Sequence, residues 1–147
     1  SKAFGLAGLR LGFGVAHPDL IPPLLAVKPT WNVGRLQIAG GIAALTDDEH
    51  VDRTIAAILE GKAHVTARFG ELDRFRLVPG TRSNFMLIEI LDPDTDSTLV
   101  FEGLLKRGVI VKDGSVSFRG LEKRYLRSDI NLPHRMDHLV DALADLP

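Results

Sequence analysis

Apolar side chains between residues 51 and 72 recur at steps of three and four, which is the longest periodic pattern in the chain. This period predicts one long helix with a single apolar stripe, because residues three and four apart lie on the same helix face. Gly61 falls inside the predicted helix. The stripe comprises Val51, Ile55, Ile58, Leu59, Val65, Phe69 and Leu72.

Four short segments after this helix have the composition of β-strands, namely residues 75–78, 84–90, 109–111 and 125–131. The first two are joined through the turn sequence Pro79-Gly80-Thr81-Arg82, so we expect them to pair.

Two further helices are predicted in the same region from their end residues. Asp96 and Ser97 can cap a helix that ends near Gly108. Pro133 opens the last helix, since proline is favoured in a first helical turn. The apolar faces comprise Leu99, Val100, Leu104 and Leu105 in the first helix and Met136, Leu139, Val140 and Leu143 in the second.

The beginning of the chain is rich in glycine and poor in strand signals. Glycines around Arg10 lead into the apolar run 13–16, which predicts a glycine-rich loop followed by a buried strand. Residues 19–27 predict one or two helical turns, and residues 33–45 predict a closely packed helix. Asn32 is a candidate N-cap for that helix.

These elements predict an α/β fold, in which a small mixed β-sheet is covered by helices, because that arrangement buries the apolar faces of both. Residues 1–46 contain too little strand to stand alone, and we interpret them as the remnant of a larger layer. Residues 47–147 would form a small domain that begins with the long connecting helix.

Composition narrows the classes of function without naming one. The 147 residues include 18 Lys and Arg against 19 Asp and Glu, with no basic block suited to a nucleic acid or a membrane surface. The absence of cysteine excludes disulfides, thiolate metal sites and a cysteine nucleophile. The first residues lack the order of a signal peptide and an initiating methionine, so we expect the sequence to begin inside a longer one.

The segment SKAFGLAGLRLG at residues 1–12 contains the residues best suited to catalysis or ligand binding. Lys2 supplies a primary amine, which forms Schiff bases with carbonyl compounds once its charge is suppressed. Ser1 and Arg10 are natural ligands of a phosphate, and glycines let the backbone approach one closely. The alternative is a solvated lysine and a structural arginine in a turn, and residue chemistry alone leaves both interpretations open.

The same segment closely resembles the cofactor-lysine segment of fold-type-I pyridoxal-phosphate enzymes, in particular aminotransferases of the histidinol-phosphate type. Further segments resemble later landmarks of that family in the same order, and the resemblance covers the second half of a family member. These segments are Trp31-Asn32-Val33, Ser83-Asn84-Phe85, Gly108 to Asp113 and Tyr125-Leu126-Arg127.

The resemblance implies a role for each matching residue. Lys2 would bind pyridoxal 5'-phosphate covalently and move the proton of the substrate's α-carbon, while Ser1 and Arg10 would hold the cofactor phosphate. Arg127 would bind the substrate's α-carboxylate with its planar fork. Residues 1–46 would be the carboxy-terminal remnant of the large cofactor-binding domain.

Two other positions are assigned to substrate binding by the same resemblance. Lys112 stands where the family usually has an arginine that helps to bind the substrate's distal phosphate. Lysine keeps the positive charge but lacks the planar fork, so the resemblance implies a phosphorylated substrate less strongly. Asn32 is a candidate for the substrate site or a subunit contact. The segment after Arg127 departs from the family, which puts the substrate identity in doubt.

The resemblance implies a cytoplasmic enzyme that transfers an amino group between an amino acid, or an amino-acid-like phosphate, and a 2-oxo acid. The alternatives are a decarboxylase similar to the threonine-phosphate type and a non-catalytic remnant that keeps the fold. The family's residues that tune the cofactor ring are absent from these 147 positions, so we expect either a companion amino-terminal segment that supplies them or a trimmed fragment of an enzyme. The resemblance also implies a homodimer. No metal site is expected, because His134 and His138 lack a visible third ligand.

Overall fold

The computed structural model describes all 147 residues, with six α-helices and four β-strands. Three short 3-10 turns, at Ala7–Leu9, Pro18–Leu20 and Glu122–Arg124, complete the regular structure. The helices are α1 (Ile21–Val27), α2 (Arg35–Leu45), α3 (Asp48–Phe69), α4 (Ser97–Lys106), α5 (Gly114–Ser117) and α6 (Pro133–Ala144). The strands are β1 (Phe75–Leu77), β2 (Phe85–Ile90), β3 (Lys112–Asp113) and β4 (Tyr125–Asp129).

The chain consists of two compact units, Ser1–Ile55 and Ala56–Pro147. The division falls inside α3. The first unit contains α1, α2 and the first turns of α3, and it has no strand. The second unit contains the whole sheet and the remaining helices, so all four strands belong to it.

The sheet has the strand order β1-β2-β4-β3, and every neighbouring pair is antiparallel. The prediction of a mixed sheet is therefore wrong about strand direction, whereas the α/β class and the helical cover are confirmed. The sequence pattern leaves the direction open, because the single helix α4 separates β2 from β3, and one helix between two strands also suits a parallel crossover.

Alternation along the strands gives the sheet one buried face and one open face. Leu126 and Ser128 of β4 are buried, as are Met86, Ile88 and Ile90 of β2. Side chains from α3, α4 and α6 join them in one core, since an antiparallel sheet can be covered on a single face. The helical contributions to that core are Val65, Phe69, Val100, Leu104, Met136, Leu139, Val140, Ala142 and Leu143.

Two predicted strands differ from the structure. Residues 13–16 form no strand, and Phe13 and Val15 are 82% and 93% exposed. The strand predicted at residues 109–111 is observed at Lys112–Asp113. It starts later because the Val109 N–H donates to the Leu104 carbonyl at the end of α4, which delays entry into the sheet.

The end residues of α4 behave as the sequence predicts. The Asp96 carboxylate accepts hydrogen bonds from the backbone N–H groups of Thr98 and Leu99 at 3.0 Å, as an N-cap does. Gly108 has φ of 76°, a left-handed conformation that favours glycine after a helix. By contrast, Asn32 does not cap α2, because Gly34 occupies that position.

Gly61 interrupts the helical pattern because another part of the chain lies against it. A Cβ atom at this position would overlap the carbonyl oxygen of Asn131 and would lie 3.4 Å from Cγ2 of Ile130. Only glycine lets α3 approach the segment after β4 so closely.

Gly61→Ala should therefore destabilise the protein by about 1–3 kcal/mol, the usual cost of overpacking, although alanine is the better helix former. Urea denaturation measures the change. Glu60→Ala, at the exposed neighbouring position, is the control and should change the unfolding free energy little. Unchanged stability of Gly61→Ala would contradict the close approach.

A buried carboxylate joins the start of α4 to the end of β3. Asp113 Oδ1 accepts from Ser97 Oγ at 2.6 Å and from Ser115 Oγ at 2.8 Å, and its Oδ2 accepts from Thr98 Oγ1 at 2.9 Å. Burial raises the pKa of Asp113, but the hydrogen bonds from these hydroxyls and a backbone N–H outweigh burial and leave the pKa below its usual range.

Asp113→Asn should lower stability at pH 7 by about 1–3 kcal/mol, because buried hydroxyl donors lose their charged acceptor. A carboxylate with a lowered folded-state pKa stabilises the fold above its unfolded pKa of about 3.9, and that contribution is lost as the pH falls through the folded pKa. The difference between the two proteins should thus shrink below about pH 4. Thermal unfolding of the wild-type and Asp113→Asn proteins at pH 7 and pH 3 measures this change. An equal stability difference at both pH values would contradict the role of the Asp113 carboxylate.

Candidate active site

The glycine-rich segment at the start of the first unit is built from tight turns. The Gly5 N–H donates to the Lys2 carbonyl at 3.2 Å, and Gly5 has φ of 61°, which favours glycine. Ala7–Leu9 forms a 3-10 turn, and Arg10 follows it in the left-handed conformation with φ of 54°. The segment thus folds back on itself within a few residues.

The predicted cofactor residues lie on the surface of this segment. Ser1, Lys2 and Arg10 are all exposed. Arg10 Nη1 donates to the Ala7 carbonyl at 2.8 Å, which fixes the guanidinium through one of its nitrogens and leaves the others for a ligand. The Lys2 ammonium makes no hydrogen bond or ion pair within the chain.

A hollow of about 270 Å³ lies in the first unit, between the glycine-rich segment and α2. Ser1 lines it, whereas Lys2 and Arg10 do not. Its remaining lining residues are apolar side chains or glycines: Phe4, Leu6, Leu9, Leu11, Gly12, Phe13, Gly41, Ala44 and Leu45. The structure therefore brings one of the three predicted cofactor residues into this hollow.

The chemistry of this segment fits a phosphorylated aldehyde. Its donor set consists of a primary amine, a hydroxyl and a guanidinium, which suit a carbonyl carbon and a phosphate. No atom lies within 4 Å of the Cβ position of Gly5, Gly8, Gly12 or Gly14, so the backbone between Lys2 and α1 is open to a ligand.

Arg127 lies in the second unit, at the middle of β4 and on the open face of the sheet. It stands opposite Leu87 of β2 on one side and Lys112 of β3 on the other. Its guanidinium carbon lies 4.8 Å from the centre of the Phe85 ring, and Nη2 lies 3.6 Å from Asp129 Oδ1. Neither Phe85 nor Asp129 is predicted from the sequence as a neighbour of Arg127, although alternation along β4 could have placed Asp129 on its face.

The Arg127 guanidinium makes no hydrogen bond within the protein. Its Nε is buried without an acceptor, and the contact to Asp129 is longer than a hydrogen bond. The other half-buried arginines, Arg68, Arg74, Arg107 and Arg124, all donate hydrogen bonds to carboxylates or carbonyls. A guanidinium with unused donors on a sheet face is a ready binding group for an anion.

Lys112 adds a second positive charge beside Arg127. The two residues are direct partners in the β3–β4 ladder, where side chains of opposed residues are neighbours. Like charges placed opposite each other repel, and a bound anion relieves that repulsion. The sheet edge therefore favours an anion with more than one negative group.

Asn32 lies in the first unit and is exposed. Its Oδ1 accepts a hydrogen bond from Lys28 Nζ at 3.1 Å, which holds the turn between α1 and α2.

His134 and His138 line an open cavity of about 590 Å³ in the second unit, together with Asp129 and Asn131. Both histidines are exposed. No group of three or more His, Asp or Glu side chains is arranged to hold a metal ion anywhere in the chain. Nor does any helix combine the length and the hydropathy that crossing a bilayer requires.

Comparisons with known proteins agree along almost the whole chain. A family model described as aminotransferase class I and II matches residues 1–143. The histidinol-phosphate aminotransferase of Symbiobacterium thermophilum is 41% identical over 143 residues, which are 97% of this chain and 37% of the relative. The chain thus spans little more than a third of that relative's length.

Two solved structures share the fold at low identity. The L-threonine-O-3-phosphate decarboxylase from Porphyromonas gingivalis has a TM-score of 0.81 and 24% identity, over 97% of this chain and 43% of that one. The histidinol-phosphate aminotransferase from Sinorhizobium meliloti, in complex with pyridoxal-5'-phosphate, also has a TM-score of 0.81, with 21% identity over 97% and 38%. At these identities the likeness concerns the fold alone.

Proposed function

This chain belongs to the aminotransferase class I and II family, and from that premise we propose that it is the carboxy-terminal part of a pyridoxal-phosphate-dependent aminotransferase. The complete protein would transfer an amino group between an amino acid, or an amino-acid-like phosphate, and a 2-oxo acid. The cofactor, when bound, supplies an electron sink for charge that develops at the substrate's α-carbon.

One observation carries the proposal beyond family membership, namely the unused donors of Arg127. A half-buried guanidinium that makes no hydrogen bond is costly unless a ligand completes it, because buried donors lose their water partners. An α-carboxylate matches the planar fork of arginine and is common to all amino-acid substrates. Lys112, directly opposite in the ladder, can bind a second anionic group such as a phosphate.

The residues of the glycine-rich segment would hold the cofactor. The Lys2 amine would bind its aldehyde carbon, and Ser1 and Arg10 would bind its phosphate through a hydroxyl and a guanidinium. Once the substrate's amine has displaced it, Lys2 Nζ would take the proton from the substrate's α-carbon and deliver it to the cofactor, as transfer of the amino group requires. Arg127 would orient the substrate, which keeps that proton within reach of one base.

The remaining groups of the site would come from the rest of a longer protein, because this chain covers 37% of its relative. We propose a companion amino-terminal segment and a cytoplasmic homodimer. Exposed large apolar side chains of the first unit support a covering segment or subunit, since an apolar surface of this kind is usually covered by another protein segment. Val15, Val27, Trp31 and Leu36 are each at least 80% exposed. Asn32, beside Trp31, would contribute to the substrate site or to this contact.

A decarboxylase that acts on an amino-acid phosphate is the second candidate. The Porphyromonas gingivalis enzyme has this activity on the same fold, and residues 128–133 depart from the histidinol-phosphate pattern, which leaves the substrate open. The same amine, guanidinium and lysine would serve either reaction, since the two differ in which substrate bond is broken.

An assay on the complete protein separates these functions. With pyridoxal phosphate, 2-oxoglutarate and a panel of amino acids and amino-acid-like phosphates that includes L-histidinol phosphate, we expect glutamate to form. Release of CO₂ from L-threonine O-3-phosphate without glutamate would instead identify the decarboxylase. Neither product, from a folded protein, would identify a non-catalytic remnant and overturn the proposal.

A further inference from the structure

The Arg127 guanidinium is held differently from the other half-buried arginines of the chain. Arg74, for example, donates to Asp92 Oδ2 at 2.9 Å, so a protein acceptor orients it and consumes a donor. Arg127 donates to no acceptor and lies over an aromatic ring, with its Cζ 4.8 Å from the centre of the Phe85 ring. Since no hydrogen bond orients this side chain, the ring is the group that restrains it.

A ring and an acceptor hold a guanidinium through different parts of it. The N–H groups of arginine lie in the plane of the guanidinium, whereas an aromatic ring contacts its flat face. Stacking therefore restricts the side chain without using any of its donors. We propose that Phe85 is the positioning residue for Arg127, holding the guanidinium ready for the substrate's carboxylate; this inference rests on the proposed function.

The sheet register explains how Phe85 reaches Arg127. Phe85 pairs with Asp129, and Arg127 lies two residues before Asp129 on the same face of β4, so Phe85 and Arg127 are diagonal neighbours. Diagonal pairs in an antiparallel sheet are within reach of aromatic and long side chains. Phe85 is 39% exposed, which is a large apolar area to leave open unless another group uses it.

The backbone around Phe85 is fixed on both sides. Its carbonyl accepts from Thr81 Oγ1 at 2.8 Å, and its N–H donates to Ser83 Oγ at 3.3 Å. These two hydrogen bonds hold the first residue of β2, so the ring has a defined position from which to restrain the guanidinium.

Asp129 does not perform this role. Its Oδ1 lies 3.6 Å from Nη2 of Arg127, beyond hydrogen-bond distance, and its side chain is 68% exposed. Such a pair contributes little in water and leaves the donors free. An incoming carboxylate can therefore bind Arg127 without first breaking a hydrogen bond.

Binding of succinate to the complete protein, without cofactor, tests the proposal. Arginine Nε–H signals are followed by NMR as succinate is added, because its two carboxylates suit Arg127 and Lys112. Phe85→Leu removes the ring and keeps an apolar side chain, and Phe85→Ile is a second ring-less variant that suits a strand. Phe85→Tyr keeps the ring, and Phe118→Leu makes the same change at a ring that makes no cation–π contact.

Loss of the ring should raise the succinate Kd by about 3- to 30-fold, the range expected for a cation–π contact. Phe85→Tyr and Phe118→Leu should bind within about 2-fold of wild type. In turnover, the ring-less variants should raise KM for the amino-acid substrate and leave kcat nearly unchanged. Thermal unfolding of each variant separates this effect from loss of the fold.

Two results would overturn the role of Phe85. One is wild-type affinity in both ring-less variants, and the other is equal loss of affinity in Phe85→Tyr. Succinate binding needs neither Lys2 nor the cofactor, so the titration decides this inference even if the protein fails to bind pyridoxal phosphate. Failure of cofactor binding with an intact Phe85 effect would count against the proposed function alone.

Discussion

Lys2→Ala should lower amino-group transfer by the complete protein by about 10³-fold or more, because it removes both the amine that holds the cofactor and the base that moves the α-proton. Lys2→Arg should fail to a similar extent, since a guanidinium stays charged and is not a nucleophile. Initial rates of glutamate formation at saturating cofactor measure the effect.

Lys106→Ala is the control for the loss of a lysine. Lys106 is an exposed residue in the last turn of α4, and its removal should leave the rate within about 2-fold of wild type. Retention of a tenth or more of the activity in Lys2→Ala would remove Lys2 from the mechanism, and both of its proposed roles with it.

Arg127→Ala should raise KM for the amino-acid substrate by about 10- to 100-fold, because hydrogen bonds to a charged group contribute more than neutral ones. Arg127→Lys should recover only part of the loss, since lysine keeps the charge without the fork. The kcat should fall by a smaller factor than KM rises, because the α-carbon would be less well aligned with Lys2. Steady-state kinetics with varied amino acid measures both constants.

Arg76→Lys is the matched control for this prediction. Arg76 lies on β1, is exposed, and donates to Glu89 Oε2 at 3.0 Å and 2.6 Å, so its charge is already paired. Its substitution should leave KM within about 2-fold. An unchanged KM in Arg127→Ala would show that the free donors of Arg127 do not bind the substrate.

Local signals predicted the elements of the second unit well. The hairpin of β1 and β2, the Asp96 cap and the apolar face of α6 all follow from short stretches of sequence, and the structure confirms each. The long helix is also confirmed, but Ile55 and Leu59 of its predicted stripe are 51% and 60% exposed. A periodic stripe therefore identified the helix without identifying what each residue packs against.

The remaining features depend on pairing between distant segments. Strand direction in the sheet and the stacking of Phe85 beneath Arg127 both follow from the β2–β4 register, which no local pattern specifies. Arg124 likewise donates to the carbonyls of Asp92 and Thr95 at 3.0 Å and 3.2 Å, which no local pattern indicates. Such contacts join residues about thirty positions apart, beyond the reach of motif or period.

In the first unit, the family resemblance was more informative than the local sequence signals. The proposed roles of its residues come from a resemblance that spans the glycine-rich segment, whereas the strand predicted at residues 13–16 is absent. Apolar composition predicted burial there, but Phe13 and Val15 are exposed in this chain. Apolar composition shows that a segment is suited to burial, but the segment is buried only where another part of the protein or a partner covers it.

Borohydride reduction of the complete protein with pyridoxal phosphate, followed by peptide mass spectrometry, tests most directly whether the Lys2 amine holds the cofactor. We expect the peptide that contains Ser1 and Lys2 to gain the mass of the reduced cofactor on Lys2, with loss of the yellow colour. An unmodified Lys2, or the same mass found on Lys112 or another lysine instead, would contradict it.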